Sequence, residues 1–263
     1  MMVSDLDQAP PVHCLAPPYS SFEPIARPAD VRAADLPLGS VLVVDLAEPA
    51  DWDTLGSWVP GLRRRCPASP VVLRVRRAAG HDGPELARRA ADLHMRAVLY
   101  DDEPVRETLQ PALTDPASLT EGLEEWLELR GVQPPQAPVG LIGEIFRSAP
   151  AHAKLRGLLF GLGRPERTVR SWFERARLPG PGAWLAAAHA TYAALRLQRE
   201  RQKPLLTIAV ECGYSDHSSL SRQAMRLFGA RPGEIRQTLG WEGLLDRWLG
   251  RCGHCAEPRN VVA

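Results

Sequence analysis

The sequence predicts two domains of different class, an α/β N-terminal half and an all-α C-terminal half. Three observations carry this. Through about residue 113, short apolar runs alternate with stretches of helical pattern. After a Pro-containing break at 131–138, the chain becomes a series of Ala- and Leu-rich helical segments punctuated by glycine. Charge then divides at the same place. Residues 1–149 hold 14 basic and 22 acidic side chains, a net of −8, whereas residues 150–236 hold 15 basic and 6 acidic, a net of +9. The whole-chain value of +1 hides this split. A basic domain is the electrostatic footprint of a partner rich in phosphate. The expected organisation is an α/β domain over 1–130, a linker over 131–138, an α domain over 139–240, and a C-terminal helix and tail over 241–263.

In the first half, Val41-Leu42-Val43-Val44 reads as a strand buried on both faces, and a helix is expected over about 53–65. A second strand follows at 71–75, a helix at 84–94, a third strand at 97–100 and a helix at 105–113. A further helix over about 118–130 carries Leu119, Leu123, Trp126 and Leu127 on one face. Repeated strand–helix units predict a parallel sheet.

In the second half, the segment from Ile208 to Pro232 is the most informative. Ala209 is small where two helices cross closely, and Gly213 stands where the chain must turn with positive φ. Tyr214 can plug that corner. Ser215 and Asp216 are N-cap residues for the next helix. In that helix Leu220, Ala224, Leu227 and Phe228 share one face, and His217, Ser218, Ser221, Arg222 and Met225 lie opposite. Pro232 suits the first turn of a further helix, with Ile235 as its core contact. The pattern is a helix-turn-helix with a DNA-reading second helix, set against the plainer alternative of an ordinary helical hairpin.

A similar arrangement lies upstream. Leu155, Leu158 and Leu159 form an apolar face, Gly161-Leu162-Gly163 supplies a turn, and a helix is expected from Pro165 to about 177. Val169, Trp172 and Phe173 point inward by spacing, and Arg167, Arg170 and Ser171 are candidates for the groove side. The plainer reading of those arginines is a solvated helix face. Residues 183–201 contain no Gly or Pro and form a connecting helix by propensity.

Ile208-Ala209, Gly213-Tyr214, Ser218, Arg222, Phe228-Gly229 and Pro232 together resemble the second helix-turn-helix signature of the AraC/XylS transcription regulators. The resemblance implies two reading heads joined by a long helix, meeting successive major grooves of one duplex. It assigns Arg167, Arg170 and Ser171 to the first head, and His217, Ser218, Ser221 and Arg222 to the second. Four positions depart from the family pattern. Ala224 replaces an aromatic residue, Met225 a basic one, Leu178 a glycine, and Ala188 an arginine. The first two predict a reading helix that packs less tightly and holds one phosphate fewer.

Residues 38–113 resemble the second half of a response-regulator receiver domain, a flavodoxin-like parallel sheet. Val41 through Pro49 matches its third strand, with Asp45 at the phosphate-accepting place and Pro49 four residues on. The chemistry does not follow. Val75 stands where a receiver has Ser or Thr, Tyr100-Asp101-Asp102 stands near the place of its Lys, and the first 38 residues are too short to supply its acidic pair. The resemblance is therefore to a partial or degenerate receiver that controls or dimerises the reader without phosphorylation. Asp45 is read as a strand-end carboxylate rather than a phosphorylation site.

Cysteines stand at 14, 66, 212, 252 and 255, and only Cys252-Gly253-His254-Cys255 forms a pattern. Such a pair serves as a redox couple or half of a zinc site. It sits here in a Gly-containing tail with no second ligand pair, so a thiol-redox sensor or enzyme is the alternative rather than the preferred function. Cys212 is expected to pack beside the turn. Trp241, Leu244, Leu245, Trp248 and Leu249 predict an amphipathic helix that packs back on a domain, with a dimer contact as the alternative. No secretory leader and no apolar run of about 20 residues is present, which predicts a soluble cytoplasmic protein. No nucleophile–base set or phosphate-binding glycine loop is found, so neither catalysis nor a cofactor is expected. The expected partners are double-stranded DNA, a second copy of the chain, and an effector whose chemistry the sequence does not specify.

Overall fold

The computed structural model describes residues 10–46, 52–77, 83–132, 136–151 and 154–253. The chain divides into two compact units. The first comprises Met1–Thr114 with Gln237–Gly243, and the second comprises Asp115–Arg236 with the chain from Leu244 onward.

The first unit is built on a five-stranded sheet. Its strands are β1 (Val12–Leu15), β2 (Glu23–Pro24), β3 (Val41–Leu46), β4 (Val71–Val75) and β5 (Val98–Tyr100). The order is β2-β1-β3-β4-β5. Strands β3, β4 and β5 are parallel, with Leu42 opposite Val71 and Leu73 opposite Val98. The expectation of a parallel sheet holds for these three strands only, because β1 runs antiparallel to both β2 and β3. The reason lies in the opening residues. Pro17, Pro18, Pro24, Pro28 and Pro37 interrupt any crossover helix, so the chain returns as an antiparallel ribbon. Pro24, which donates no amide, falls in the edge strand, where a donor is not needed.

Helices α1 (Trp52–Arg65), α2 (Gly83–Asp92) and α3 (Val105–Thr114) cover this sheet. Strand side chains alternate between faces. Leu42, Val44 and Leu46 join Leu55, Val59 and Leu62 of α1 and Leu86 of α2 in one core cluster. Val41 and Val43 face the other way, toward Leu109 and Leu113 of α3. Burial on both faces is why β3 reads as an unbroken apolar run. The second cluster also holds Leu239, from far along the chain. Tyr19 ties it in place: its hydroxyl donates to the Gly39 carbonyl at 2.7 Å and accepts from the Leu239 amide at 2.6 Å. Arg106 donates to the Gln237 carbonyl at 3.0 Å, and Trp241 is buried beneath the Arg96 guanidinium.

The second unit is helical: α4 (Pro116–Leu129), α5 (Gln136–Ser148), α6 (Leu155–Gly161), α7 (Glu166–Arg175), α8 (Pro181–Arg199), α9 (Leu205–Glu211), α10 (His217–Phe228), α11 (Pro232–Gln237) and α12 (Glu242–Arg251). The division differs from the expected boundaries. Helix α4, expected to close the first domain at 130, groups with the second unit and packs on α5. Helix α5 begins at Gln136, inside the stretch expected as a linker. A capped start explains the break before α4, because the Asp115 carboxylate accepts the Ala117 amide at 3.0 Å and Pro116 occupies the first turn. Helix α8 is the axis of the unit, with α5, α6, α7, α9 and α10 all packed on it. Its buried Ala187, Ala188, Ala190, Ala193 and Ala194 let neighbouring helices approach closely. Trp184 of α8 packs edge-on to Trp248 of α12 at 4.5 Å and to Phe146 of α5 at 6.3 Å.

Candidate nucleic-acid interface

Helices α9 and α10 meet through a tight turn. Cys212 donates its amide to the Ile208 carbonyl at 2.9 Å, and Tyr214 donates to Ala209 at 2.9 Å. Gly213 between them has φ +83°, a conformation that an L side chain resists. Ile208 and Ala209 are fully buried at the crossing. Tyr214 is half-buried, and burial pushes its hydroxyl up to about 12.

Asp216 is the N-cap of α10. Its backbone is extended, and its carboxylate accepts the Ser219 amide at 2.7 Å. That amide, with smaller help from Ser215 and Ser218, holds the Asp216 carboxyl below its ordinary value. Of the two expected cap residues, Asp216 takes the role, and Ser215 donates to its carboxylate at 3.1 Å. The helix ends at Gly229, with φ +63°, whose amide donates to Met225.

Burial fixes the orientation of α10. Leu220, Ala224, Leu227 and Phe228 are buried. His217 and Arg222 are exposed, Ser218 and Ser221 are half-buried, and Met225 is 41% exposed. Arg222 donates to the Ser219 hydroxyl at 3.2 Å, and Ser221 donates back to the His217 carbonyl at 2.8 Å.

Helices α6 and α7 repeat the backbone pattern. Leu162 donates to Leu158 and Arg164 to Leu159, around Gly163 at φ +62°. Val169 and Phe173 are buried in α7, at the places Leu220 and Ala224 hold in α10 relative to each helix start. Arg167 and Arg170 are exposed, and Ser171 is half-buried. Trp172, expected inward, is only half-buried, because its helical position lies at the flank of the apolar stripe. Arg170 is engaged by Glu166 of its own helix at 2.6 Å. Leu178, where the family pattern has glycine, is buried, and the left-handed residue beside it is Arg177, with φ +53°.

An open groove of about 630 Å³ adjoins α10. Arg222, Arg226, Arg231 and Arg251 line it, with Met225 and Ser221 between them. Arg226, Arg231 and Arg251 were not singled out from the sequence. Arg226 was legible as the i+4 neighbour of Arg222, but Arg251 arrives from α12, which no local pattern connects to α10.

Asp45 lies near the end of β3. Arg74, its register partner on β4, donates to both its oxygens at 2.7 and 2.5 Å, and His13 Nε2 lies 3.1 Å away. Arg74 in turn stacks over Phe22 at 4.4 Å. Cys252 is half-buried, and burial pushes its thiol up, away from the thiolate a redox couple needs. Its expected partner Cys255 lies outside the described residues. Cys212 is also half-buried beside the turn. Among the described residues, no group of three or more His, Cys, Asp or Glu could hold a metal ion. No helix there is long and apolar enough to cross a membrane.

Residues 161–238 match the family model of a helix-turn-helix domain. The match begins at the last residue of α6 and ends just after α11. It supports an AraC-family DNA-binding C-terminal region, and with it a role in the regulation of transcription. No curated protein matches the chain.

Proposed function

We propose that this protein reads duplex DNA with two heads, α7 and α10, entering successive major grooves on one face of the helix. Grooves on one face recur every ~34 Å. In the first head Arg167, Arg170 and Ser171 face the bases or backbone. In the second His217, Ser218, Ser221 and Arg222 do so. A guanidinium offers two parallel donors to guanine O6 and N7, which is why Arg222 is the principal base reader. The observation that carries the reading is the orientation of α10. Four buried apolar side chains fix it, and the opposite face carries the exposed His217 and Arg222 with the half-buried Ser218 and Ser221.

The first unit serves as the controlling or dimerising module, and it does so without phosphate on Asp45. Arg74 and His13 already occupy that carboxylate. For the thiol-redox alternative, burial pushes the Cys252 thiol up, which works against a reactive thiolate.

The test is selection of duplexes from a randomised library on the purified protein, followed by titration of Arg222→Ala. A recovered sequence preference is expected, and the variant should lose about 1–3 kcal/mol on the selected site together with preference at one position. Wild-type affinity and preference retained by Arg222→Ala would sink the assignment.

A further inference from the structure

We propose that Arg251, at the end of α12, acts with Arg226 and Arg231 to bind a backbone phosphate of duplex DNA beside the reading face of α10. The inference rests on α10 being a DNA reader, and it extends the contact surface beyond the matched residues 161–238.

Three elements bring arginines to one groove. Arg222 and Arg226 come from α10, Arg231 from the turn before α11, and Arg251 from α12. None of the lining residues is acidic. Among the described residues, no ion pair engages Arg226, Arg231 or Arg251, whereas Arg170 of α7 is held by Glu166. Converging cations repel one another unless an anion lies between them.

Arg251 reaches the C-terminal end of α10. Its guanidinium lies against Gly229, so close that a Cβ there would come within 2.7 Å of Nη1. Gly229 is needed for its positive φ, and the Arg251 side chain reaches over it. The C-terminal end of α10 carries partial negative charge, which favours a cation at this spot. Met225, 41% exposed in the same groove, supplies no charge, so the rim must hold any phosphate. Guanidinium forks match phosphate oxygens bidentately. The groove shares Ser221 and Arg222 with the reading face, which selects a DNA phosphate over a free one.

The experiment titrates wild-type protein, Arg251→Gln, Arg251→Lys, Arg231→Gln and Arg222→Ala with a fluorescent random-sequence duplex over a salt series. Inorganic phosphate serves as a separate competitor. Arg251→Gln should weaken binding roughly 3- to 10-fold and lower the slope of log K against log salt by about 0.9, with sequence preference on selected sites unchanged. Arg251→Lys should restore the slope, and Arg231→Gln should reproduce the loss from a different element. Slopes unchanged in both glutamine variants, with wild-type melting temperatures, would mean that Arg251 only caps α10 and would overturn the inference. Inorganic phosphate binding lost in Arg251→Gln without any change in DNA slope would overturn it too. In either case a preference still lost in Arg222→Ala leaves the DNA-reading proposal standing. Absence of salt-dependent duplex binding by the wild type removes both.

Discussion

Leu239 is distant in sequence from the sheet it helps to bury, and its truncation tests whether the first unit needs that segment. Leu239 is 2% exposed and clusters with Leu15, Tyr19, Val41, Val43, Val72, Leu109 and Leu113. Leu239→Ala removes three carbons from this cluster. Transfer alone costs about 2.4 kcal/mol at ~0.8 per methylene, and incomplete collapse of the cavity brings the total to about 3 kcal/mol. Surrounding strands β3 and β4 are hydrogen-bonded on both sides, so relaxation into the cavity is limited. Against a typical domain stability of 5–15 kcal/mol, that loss is large, and at roughly 4 °C per kcal/mol it lowers the melting temperature by about 12 °C. Tyr19→Phe should act on the same feature by a different route, leaving the Leu239 amide and the Gly39 carbonyl without their buried partner at about 1–3 kcal/mol. Thermal unfolding of the full chain, followed by near-ultraviolet circular dichroism, reads both. If each variant melts within a degree or two of wild type, Leu239 is not part of the folded core and the division of the chain given above is wrong.

Two further outcomes are expected. Incubation with acetyl phosphate should leave the intact mass unchanged, because Arg74 and His13 engage Asp45; a stable phosphoryl adduct that disappears in Asp45→Asn would reverse that reading. Glu200 should contribute an acid-sensitive clamp between the end of α8 and the end of α9. Arg196 first, then Lys203, pulls its carboxyl from 4.5 to about 2, and Arg196 and Lys203 also bind Glu211. The folded value is depressed, so the stabilisation is present above about pH 4.5 and is lost as pH falls toward about 2. Melting temperature should therefore fall less steeply in Glu200→Gln than in wild type across that window, and parallel curves would refute the clamp.

Much of the second unit was legible because its signals are local. Gly213, Asp216 and the Leu220–Ala224–Leu227 stripe each specify one piece of backbone or one face, and neighbours in sequence suffice to read them. The α/β alternation over 41–113 was legible for the same reason. The antiparallel ribbon of β1 and β2 was not, since a two-residue edge strand containing Pro24 leaves no periodic trace. The boundary before α4 was not legible either. Gln133-Pro134-Pro135 looked like a linker by composition, yet the capped start at Asp115 is the break that the packing respects. Neither Leu239 in the sheet core nor Arg251 beside Gly229 could be anticipated, because each depends on where the chain returns after α11. For the candidate site, the outward face of α10 was readable from helical spacing, whereas the engagement of Arg170 by Glu166 required the actual rotamers.

If α7 and α10 both read DNA as proposed, that engagement bears on how they divide the work. Glu166 and Arg170 are four residues apart on one exposed helix face, a spacing that favours pairing by about 0.2–0.5 kcal/mol. A base or phosphate contacted by Arg170 competes with Glu166 for its guanidinium. Near the start of α10 the Asp216 carboxylate is committed to the Ser219 amide; Glu234 accepts the Arg231 amide at 2.6 Å, and among the described residues no side-chain ion pair engages the four arginines of the adjoining groove. On the proposed two-headed reading, the second head then offers a polyanion more of its guanidinium charge than the first. The electrostatic part of binding, and its dependence on salt, should be concentrated at α10 and its arginine-lined groove, leaving α7 to add register and reach along the duplex.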